Sequence, residues 1–364
     1  MSIKMTNEQT IFETGKDNPD WQIRETAVKE LSDEKLIYAF KDDEHWRVRS
    51  AVVDKLTDEN LILGFKDDQD REVRLAVLNK LSDDELLFDT FKDDPSGKVR
   101  KAVVDKLSDE QVIFENFKED PDEFVRVAAV NKLTDESLIY EFKDDNSWVV
   151  RSEAVNKLSD EQLIFETFKD DPSRRIREAL VEKLSDESLL FETFKNDPSW
   201  EVRSALIRKI SDEELLFNTF KDDKDMFLRE DLINKLSDQE LIFNTFKDDP
   251  AGRVRSALIN KLTDEQLLFE TFKDDPTRDV RKTLVEKLSE QNVIFNTFKD
   301  DPDWVVRKAV VNKLSDEHLI ETFKNDPDES VRETVENKLS NIYEQDHEFS
   351  DALAELSTDQ DLQL

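Results

Sequence analysis

The chain has no cysteine, four glycines and nine prolines among its 364 residues. Without cysteine it has no disulfide, no thiolate metal ligand and no cysteine nucleophile, and four scattered glycines form no glycine-rich phosphate loop. Basic residues are few relative to acidic ones, with 53 Lys and Arg against 88 Asp and Glu, so the formal charge is −35. That charge argues against direct binding of nucleic acid or of an anionic membrane.

Long apolar runs are also missing. No stretch approaches the roughly 18 apolar residues of a membrane span, and the segment MSIKMTNEQT does not resemble a signal peptide. A cytoplasmic location is therefore expected. The 37% hydrophobic residues, which include 24 Phe, exceed what an acidic disordered chain contains, so the chain is expected to fold.

A repeated unit accounts for most of the sequence. Residues 82–107, SDDELLFDTFKDDPSGKVRKAVVDKL, and residues 159–184, SDEQLIFETFKDDPSRRIREALVEKL, are two copies of it. A Lys in its central turn recurs thirteen times, spaced by 25 or 26 residues. Where a unit is shorter, the missing residue always falls in one segment, as in LIYAF at 36–40 compared with LIFETF at 163–168. A repeat of this period is typical of a solenoid.

Each unit predicts two helices. Ser108, followed by two acids, indicates a Ser N-cap at the start of a short first helix. The turn at 118–121 leads to the second helix, because Pro121 is acceptable in a first helical turn. Apolar residues cover more than half of the second helix, which indicates neighbours on several sides. The sequence thus predicts an all-α fold, a right-handed α-solenoid of about thirteen two-helix repeats of 25–26 residues.

The repeat also predicts the domain organisation. Residues 1–15 are expected to form a half-repeat cap, residues 16–340 the solenoid and residues 341–364 an acidic tail. The tail has seven acids and no Lys or Arg. Four of its apolar residues share one helical face, which indicates either a small capping helix or a peptide that docks on a partner; they are Phe349, Ala352, Leu353 and Leu356.

An Arg recurs within the apolar arc of the second helix. A guanidinium at an apolar interface costs several kcal/mol unless it is paired, and an acid stands six residues earlier in twelve of the thirteen units. We therefore predict a ladder in which each Asp accepts hydrogen bonds from the Arg of its own or the adjacent repeat; an anion-binding row of arginines is the alternative. The predicted ladder includes Asp94, Arg100, Asp120, Arg126, Asp171, Arg177, Asp197, Arg203, Asp249 and Arg255.

The segment 196–210, NDPSWEVRSALIRKI, resembles the short bacterial HEAT-like repeats, and the resemblance extends over about residues 6–340. In that family the equivalent Asp and Arg form a stacking ladder. The unit is also similar to the leucine-rich repeat variant, whose second element is a short 3₁₀ segment. These resemblances imply a HEAT-like α-solenoid but no single activity, because such solenoids include scaffolds, chromophore lyases and a DNA glycosylase type. An acidic surface disagrees with the last of these.

No catalytic or metal-binding pattern is present. His45, His318 and His347 are far apart in the repeat order and lack the partners of a catalytic triad. No acidic stretch follows the calcium-loop pattern with its central Gly. We therefore expect no enzymatic activity, no cofactor and no metal.

One position in the repeat varies widely, two residues before the Val of the Val-Arg pair. It holds Trp, Arg, Gly, Met or Glu, and a core position would not accept all of these. Exposed Trp and Arg are common interface hot spots, whereas packing of the Trp rings on a neighbouring turn is the alternative interpretation. The candidate partner-binding residues are Trp21, Trp46, Trp148, Trp200, Trp304, Arg71, Arg174 and Arg278.

These features predict a non-enzymatic protein–protein interaction scaffold, a monomer that binds a basic or nucleic-acid-binding protein along an extended acidic surface. Direct contact with nucleic acid or membrane is not expected. The alternative is an acidic nucleic-acid mimic that inhibits a DNA- or RNA-binding protein, such as a phage-encoded anti-restriction or anti-CRISPR factor. The net charge density along the solenoid is about a third of that of duplex DNA, so mimicry requires that the basic residues be segregated from the acidic ones.

Overall fold

The computed structural model describes the backbone of residues 7–360 and the side chains of residues 7–344. The described residues form 26 helices and no strand. Short first helices alternate with longer second helices in two compact units, Met1–Ser185 and Asp186–Leu364. The predicted all-α solenoid is confirmed; its right-handed twist stays a prediction.

The helices of the first unit are α1 (Asn7–Gly15), α2 (Trp21–Glu30), α3 (Glu34–Tyr38), α4 (Trp46–Lys55), α5 (Glu59–Leu63), α6 (Arg71–Lys80), α7 (Asp84–Phe91), α8 (Gly97–Lys106), α9 (Glu110–Phe117), α10 (Glu123–Lys132), α11 (Glu136–Tyr140), α12 (Trp148–Lys157), α13 (Glu161–Phe168) and α14 (Arg174–Lys183).

The helices of the second unit are α15 (Glu187–Phe194), α16 (Trp200–Lys209), α17 (Glu213–Phe220), α18 (Met226–Lys235), α19 (Gln239–Phe246), α20 (Gly252–Lys261), α21 (Glu265–Phe272), α22 (Arg278–Lys287), α23 (Gln291–Phe298), α24 (Trp304–Lys313), α25 (Glu317–Glu321) and α26 (Glu329–Gln360).

The second helices form the continuous core of each unit. Each packs against the second helix before it and the one after it, as α8 does with α6 and α10, while each first helix packs on the second helix of its own repeat. Val99, Val103 and Val104 of α8 are fully buried, and so is Phe91 at the end of α7. Apolar side chains on three sides of a ten-residue helix therefore stack one repeat on the next.

Shortened first helices absorb the missing residue by tightening their last turn. In α3 the helix has five residues instead of the eight found in α7. The chain then continues with i→i−3 bonds, in which Phe40 N donates to Ile37 O at 3.1 Å and Lys41 N donates to Tyr38 O at 3.1 Å. A 3₁₀ turn needs about three residues instead of 3.6, so Phe40 still reaches the core, where it is 2% exposed.

Two details of the predicted caps are wrong. Asp109, not Ser108, caps α9, because its carboxylate accepts a hydrogen bond from Gln111 N at 2.9 Å. The Ser108 hydroxyl instead donates to the carboxylate of Asp84 in the preceding repeat at 2.6 Å. Pro121 precedes the N-cap residue of α10 and therefore lies outside the helix.

The last helix, α26, spans Glu329–Gln360, so the backbone of the acidic tail continues the final second helix. Tyr343 anchors this continuation, since its hydroxyl donates to the Glu317 carboxylate. Phe349, Ala352, Leu353 and Leu356 lie outside the residues whose side chains are described, and the role of the tail stays a prediction. Among the described helices, α26 included, none has the length and apolar character needed to cross a membrane.

Candidate interaction surface

Arg100 shows how the buried arginines connect repeats. Its Nε and Nη2 donate to the two carboxylate oxygens of Asp120 in the next repeat at 2.7 and 2.8 Å, and its Nη1 donates to the carbonyl of Asp94 in its own turn at 2.6 Å. Each turn Asp thus offers its carbonyl to its own Arg and its carboxylate to the preceding Arg. All three guanidinium nitrogens are occupied, which disfavours the alternative of an anion-binding row.

The same side-chain pairing recurs through both units. The bond from Nε to the carboxylate measures 2.7 Å, except for the pair of Arg203, where it is 3.0 Å. The pairs are Arg24–Asp43, Arg49–Asp68, Arg74–Asp94, Arg100–Asp120, Arg126–Asp145 and Arg151–Asp171 in the first unit, and Arg203–Asp223, Arg229–Asp249, Arg255–Asp275, Arg281–Asp301 and Arg307–Asp326 in the second.

Two residues predicted as ladder members lie in different units, Arg177 in the first and Asp197 in the second. Nη1 of Arg177 donates to the Asp171 carbonyl at 2.7 Å. The carboxylate of Asp197 accepts from Ser199 N at 2.8 Å, and its carbonyl accepts from Arg203 Nη1 at 2.6 Å.

The ladder shifts the pKa values of Arg100 and Asp326. The hydrogen bond that Arg100 donates to the Asp120 carboxylate raises the pKa of Arg100 above its already high ordinary value, despite an opposing effect of burial. For Asp326, burial alone would raise the pKa, but hydrogen bonds from Arg307 and from a backbone N–H outweigh it, so the pKa is lowered. The ion pairs thus favour the charged forms of Arg100 and Asp326.

A second ladder, of lysines, was not predicted from the sequence. Nζ of Lys106, the last residue of α8, donates to three carbonyls at the end of α6, those of Leu78, Asn79 and Leu81, at 3.0, 3.2 and 2.9 Å. A cation is favoured at the C-terminal end of a helix, where carbonyls lack partners. The available signal was the Lys before the final Leu in most repeats, which caps the second helix of the preceding repeat. Other examples are Lys55, Lys132, Lys157, Lys183, Lys235, Lys261, Lys287, Lys313 and Lys338.

A third set of bonds joins the first helices. Ser237 donates to the Glu213 carboxylate through its backbone N–H and its hydroxyl, both at 2.8 Å. These bonds lower the pKa of Glu213 below its ordinary value of 4.5. The pKa values of Glu187 and Glu265 are lowered by the same bonds from Ser211 and Ser289.

The lowered pKa values predict acid sensitivity. Because folding lowers the pKa of these glutamates, their stabilising contribution is complete above the ordinary value of 4.5 and is lost as pH falls through the lower folded value. The urea midpoint should therefore fall as pH drops below about 4.5, as followed by circular dichroism.

The matched variant for this prediction is Glu213→Gln. Gln239 occupies the equivalent place in the next repeat and accepts from Thr263 N at 3.2 Å, so an amide preserves the acceptor. The variant should keep the midpoint at pH 7 and lose less of it in acid. An unchanged pH profile would show that Glu213 does not contribute to it.

Exposed carboxylates are concentrated in the turns between the two helices. The first acid after each turn Lys faces solvent, and we call these residues the loop acid row. Within the described chain none of them accepts a hydrogen bond, and only Asp144 has a cation within 4.0 Å, Lys143 at 3.7 Å. The row comprises Asp17, Asp42, Asp67, Asp93, Glu119, Asp144 and Asp170 in the first unit and Asp222, Asp248, Asp274 and Asp300 in the second.

The turn lysines that precede this row contact aromatic rings of the first helices. Nζ of Lys92 lies 4.7 Å from the centre of the Phe88 ring, and Lys118 lies 4.9 Å from that of Phe114. Cation–π contacts of this kind hold the ammonium over the ring. These lysines thus lie over rings of their own repeats, while the loop acid row beside them accepts no hydrogen bond from the described residues.

The eight predicted partner-binding residues share one structural position. Each is the first residue of a second helix, which explains why the position tolerates Gly, Arg and Trp. Its side chain projects at the end of the helix and meets the cap of the next repeat; a Cβ added to Gly97 would lie 1.9 Å from the Asp122 carboxylate. We call this position the variable row.

Three of the five tryptophans, Trp21, Trp46 and Trp200, have an aromatic ring or an Arg guanidinium on the ring face. Trp21 stacks on His45 at 4.2 Å, and the Arg47 guanidinium lies 5.0 Å from the Trp21 ring and 5.3 Å from the Trp46 ring. In the second unit Trp200 stacks on Phe227 at 5.3 Å. For these three residues the geometry agrees with the alternative of packing on a neighbouring turn.

The other two tryptophans are more exposed. Trp304 is 38% exposed with Lys308 at 6.0 Å, whereas Trp148 is 45% exposed and has no aromatic or cationic neighbour among the described residues. The indole N–H of Trp148 likewise donates to no described residue.

The predicted arginines of the variable row do not form one site. Arg71 and Trp46 line the same open groove of about 650 Å³. Arg278 reaches Asp303 in the next repeat at 3.5 Å, and Arg174 is exposed at the start of α14.

The histidines have no catalytic surroundings in the described residues. His45 caps α4, its Nδ1 accepting from Arg47 N at 3.3 Å, and His318 is exposed on α25. His347 lies outside the described side chains. No group of three His, Asp or Glu in the described part could hold a metal ion.

No protein-family model and no curated protein matches the chain. A solved structure described as a leucine-rich repeat variant with a novel repetitive structural motif is 23% identical, with a TM-score of 0.46, over 64% of this chain and 88% of that chain. A structure of the S. pombe condensin Cnd3–Cnd2 subcomplex is 14% identical, with a TM-score of 0.33, over 92% of this chain; the match spans 65% of that chain, less than two thirds of it. The function is therefore inferred from the arrangement of side chains in this protein.

Proposed function

We propose that this protein is a non-enzymatic scaffold of short HEAT-like repeats that binds a basic protein along the loop acid row. The observation that carries the proposal is the segregation of charge. One Arg of most repeats is bound in the ladder, many lysines contact helix ends or aromatic rings, and the loop acid row accepts no hydrogen bond from the described residues. Such a surface attracts cations of a partner over a long distance.

The repeat sets the spacing of these charges. Neighbouring helices pack about 8–10 Å apart, so one free carboxylate recurs at about this interval along each unit. Individual surface ion pairs contribute about 0–1 kcal/mol, but a preformed row engages several cations of one partner together. The scaffold is expected to act as a monomer, because a second copy would bring a second negative row.

Inhibition by mimicry of nucleic acid is a second candidate. Mimicry requires that basic side chains be separated from the acidic surface, and the segregation of charge that supports the scaffold also supports mimicry. On this account the partner is a DNA- or RNA-binding protein whose basic groove is blocked. The two candidates differ in whether the partner still binds nucleic acid while it is bound here.

Capture from a nuclease-treated lysate tests the proposal. Tagged protein should retain a basic protein at about 50 mM salt and release most of it at about 200 mM, because several ion pairs are screened together. Release by added duplex DNA would favour mimicry, and retention in its presence would favour the scaffold. Capture of only acidic or salt-resistant proteins would contradict both candidates.

A further inference from the structure

Phe124 and Trp148, here called the aromatic pair, are two exposed aromatic residues on neighbouring second helices. Phe124, the second residue of α10, is 61% exposed, and Trp148, the first residue of α12, is 45% exposed. These two helices pack directly on each other. Neither ring has an aromatic or cationic contact among the described residues. The two side chains thus place exposed apolar surface at the same ends of adjacent helices.

A Trp at the first position and a Phe at the second position of a second helix are both packed in the second unit, so the repeat does not require that such residues be exposed. Trp200 and Phe227, the first and second residues of their helices, stack on each other at 5.3 Å, and the Arg253 guanidinium covers Phe227 at 4.7 Å. Trp200 is thus covered by the second residue of the following second helix, whereas the corresponding residue after Trp148 is Arg175, which makes no cation–π contact with the Trp148 ring. Exposed, unpartnered aromatic residues are enriched in energetic hot spots of interfaces.

The surroundings of the pair define its partner. A groove of about 510 Å³ lies between the turns that precede α10 and α12, and its acids, which include Glu119 and Asp144, outnumber its basic residues Lys118, Arg126 and Lys143. The Asp144 side chain is 88% exposed. A second copy of this chain would meet these acids with its own, so the charges favour a cationic occupant.

We propose that Phe124 and Trp148 anchor an amphipathic basic segment of a protein partner. An apolar side chain of the segment packs on the two rings, and its Lys or Arg side chains enter the groove beside Glu119 and Asp144. The proposal rests on the proposed function and adds the place of the main contact. It also gives Trp148 a role different from that of the packed tryptophans.

Selection from a displayed library of random peptides tests this site, with the intact protein as bait. Enriched peptides should combine an aromatic or aliphatic residue with at least two Lys or Arg. A synthetic peptide of the enriched sequence should lose at least about tenfold in affinity with Phe124→Ala/Trp148→Ala. The matched variant Trp200→Ala/Phe227→Ala removes the same residue types from the other unit and should change affinity less than about twofold.

Three outcomes would overturn the proposal: no enrichment, enrichment of peptides without basic residues, or equal loss of affinity in both variants. Self-association that Phe124→Ala/Trp148→Ala abolishes, seen by sedimentation, would also overturn it by assigning the pair to a second copy. If the variant retains the captured lysate protein fully, this site is wrong and the scaffold still stands. If the wild-type protein captures no basic protein, the proposed function itself fails.

Discussion

Replacing Arg255 by alanine should lower the free energy of unfolding by about 3–5 kcal/mol, as expected when one partner of a buried ion pair is removed. Arg255 and Asp275 are each 8% exposed, and their two bonds measure 2.7 and 2.8 Å. The variant leaves the Asp275 carboxylate buried without its cation. Urea unfolding followed by circular dichroism measures the loss.

Arg332 provides the control within the same unit. It is the last Arg of the series, and its Nη1 donates only to backbone carbonyls, those of Asp326 and Pro327, at 2.6 and 3.1 Å. Arg332→Ala leaves no carboxylate buried alone, so about 1–2 kcal/mol should be lost. Equal losses in the two variants would show that the pairing between repeats does not determine stability.

Truncating a core Phe should have an effect of similar size. Phe246, at the end of α19, is 1% exposed. Its replacement by alanine removes a buried ring and leaves a cavity between α19 and α20, which should lower the free energy of unfolding by about 3–5 kcal/mol. The measurement is again urea unfolding.

Leu241 lies on the same helix and serves as the control. It is 37% exposed, so Leu241→Ala forms no closed cavity and should cost less than about 1.5 kcal/mol. If Phe246→Ala lowers the free energy of unfolding no more than Leu241→Ala does, the buried Phe at the end of the first helix does not stabilise the packing of the repeats.

The fold could be predicted because the same pattern of residues recurs thirteen times along the chain. Self-similarity gave the period, the two helices and the segment that tolerates a deletion. The caps were less predictable, because Ser108 and Asp109 can both cap a helix and only the preceding repeat decides which of them does so. The lysine ladder was missed for a similar reason, since Lys106 caps a helix about one repeat earlier in the sequence.

Exposure along the variable row could not be read from Trp alone, because it depends on the next repeat. Trp21 is covered by Arg47, the second residue of the following second helix. At the corresponding place after Trp148 stands Arg175, which pairs with Glu178 at 3.9 Å. Glu178 thus competes with the Trp148 ring for the Arg175 guanidinium. Both residues of this competing ion pair could be read from the sequence.

Binding of the captured partner by a charge variant tests the central claim most directly. Asp42, Asp67, Asp93 and Asp170 are changed together to Asn, a residue that the equivalent position already holds at Asn196. The control removes four exposed carboxylates of the first helices by amide substitution. These are Glu13, Asp89, Glu115 and Glu166.

Both variants change the net charge equally, and they differ in the position of the removed carboxylates and in the intramolecular partners of the control residues. Calorimetric titration over a range of salt concentrations should show that the loop variant binds at least about tenfold more weakly at low salt and with a smaller salt slope. The control should bind nearly as well as the wild-type protein. Equal affinities for the two variants would contradict binding along the loop acid row.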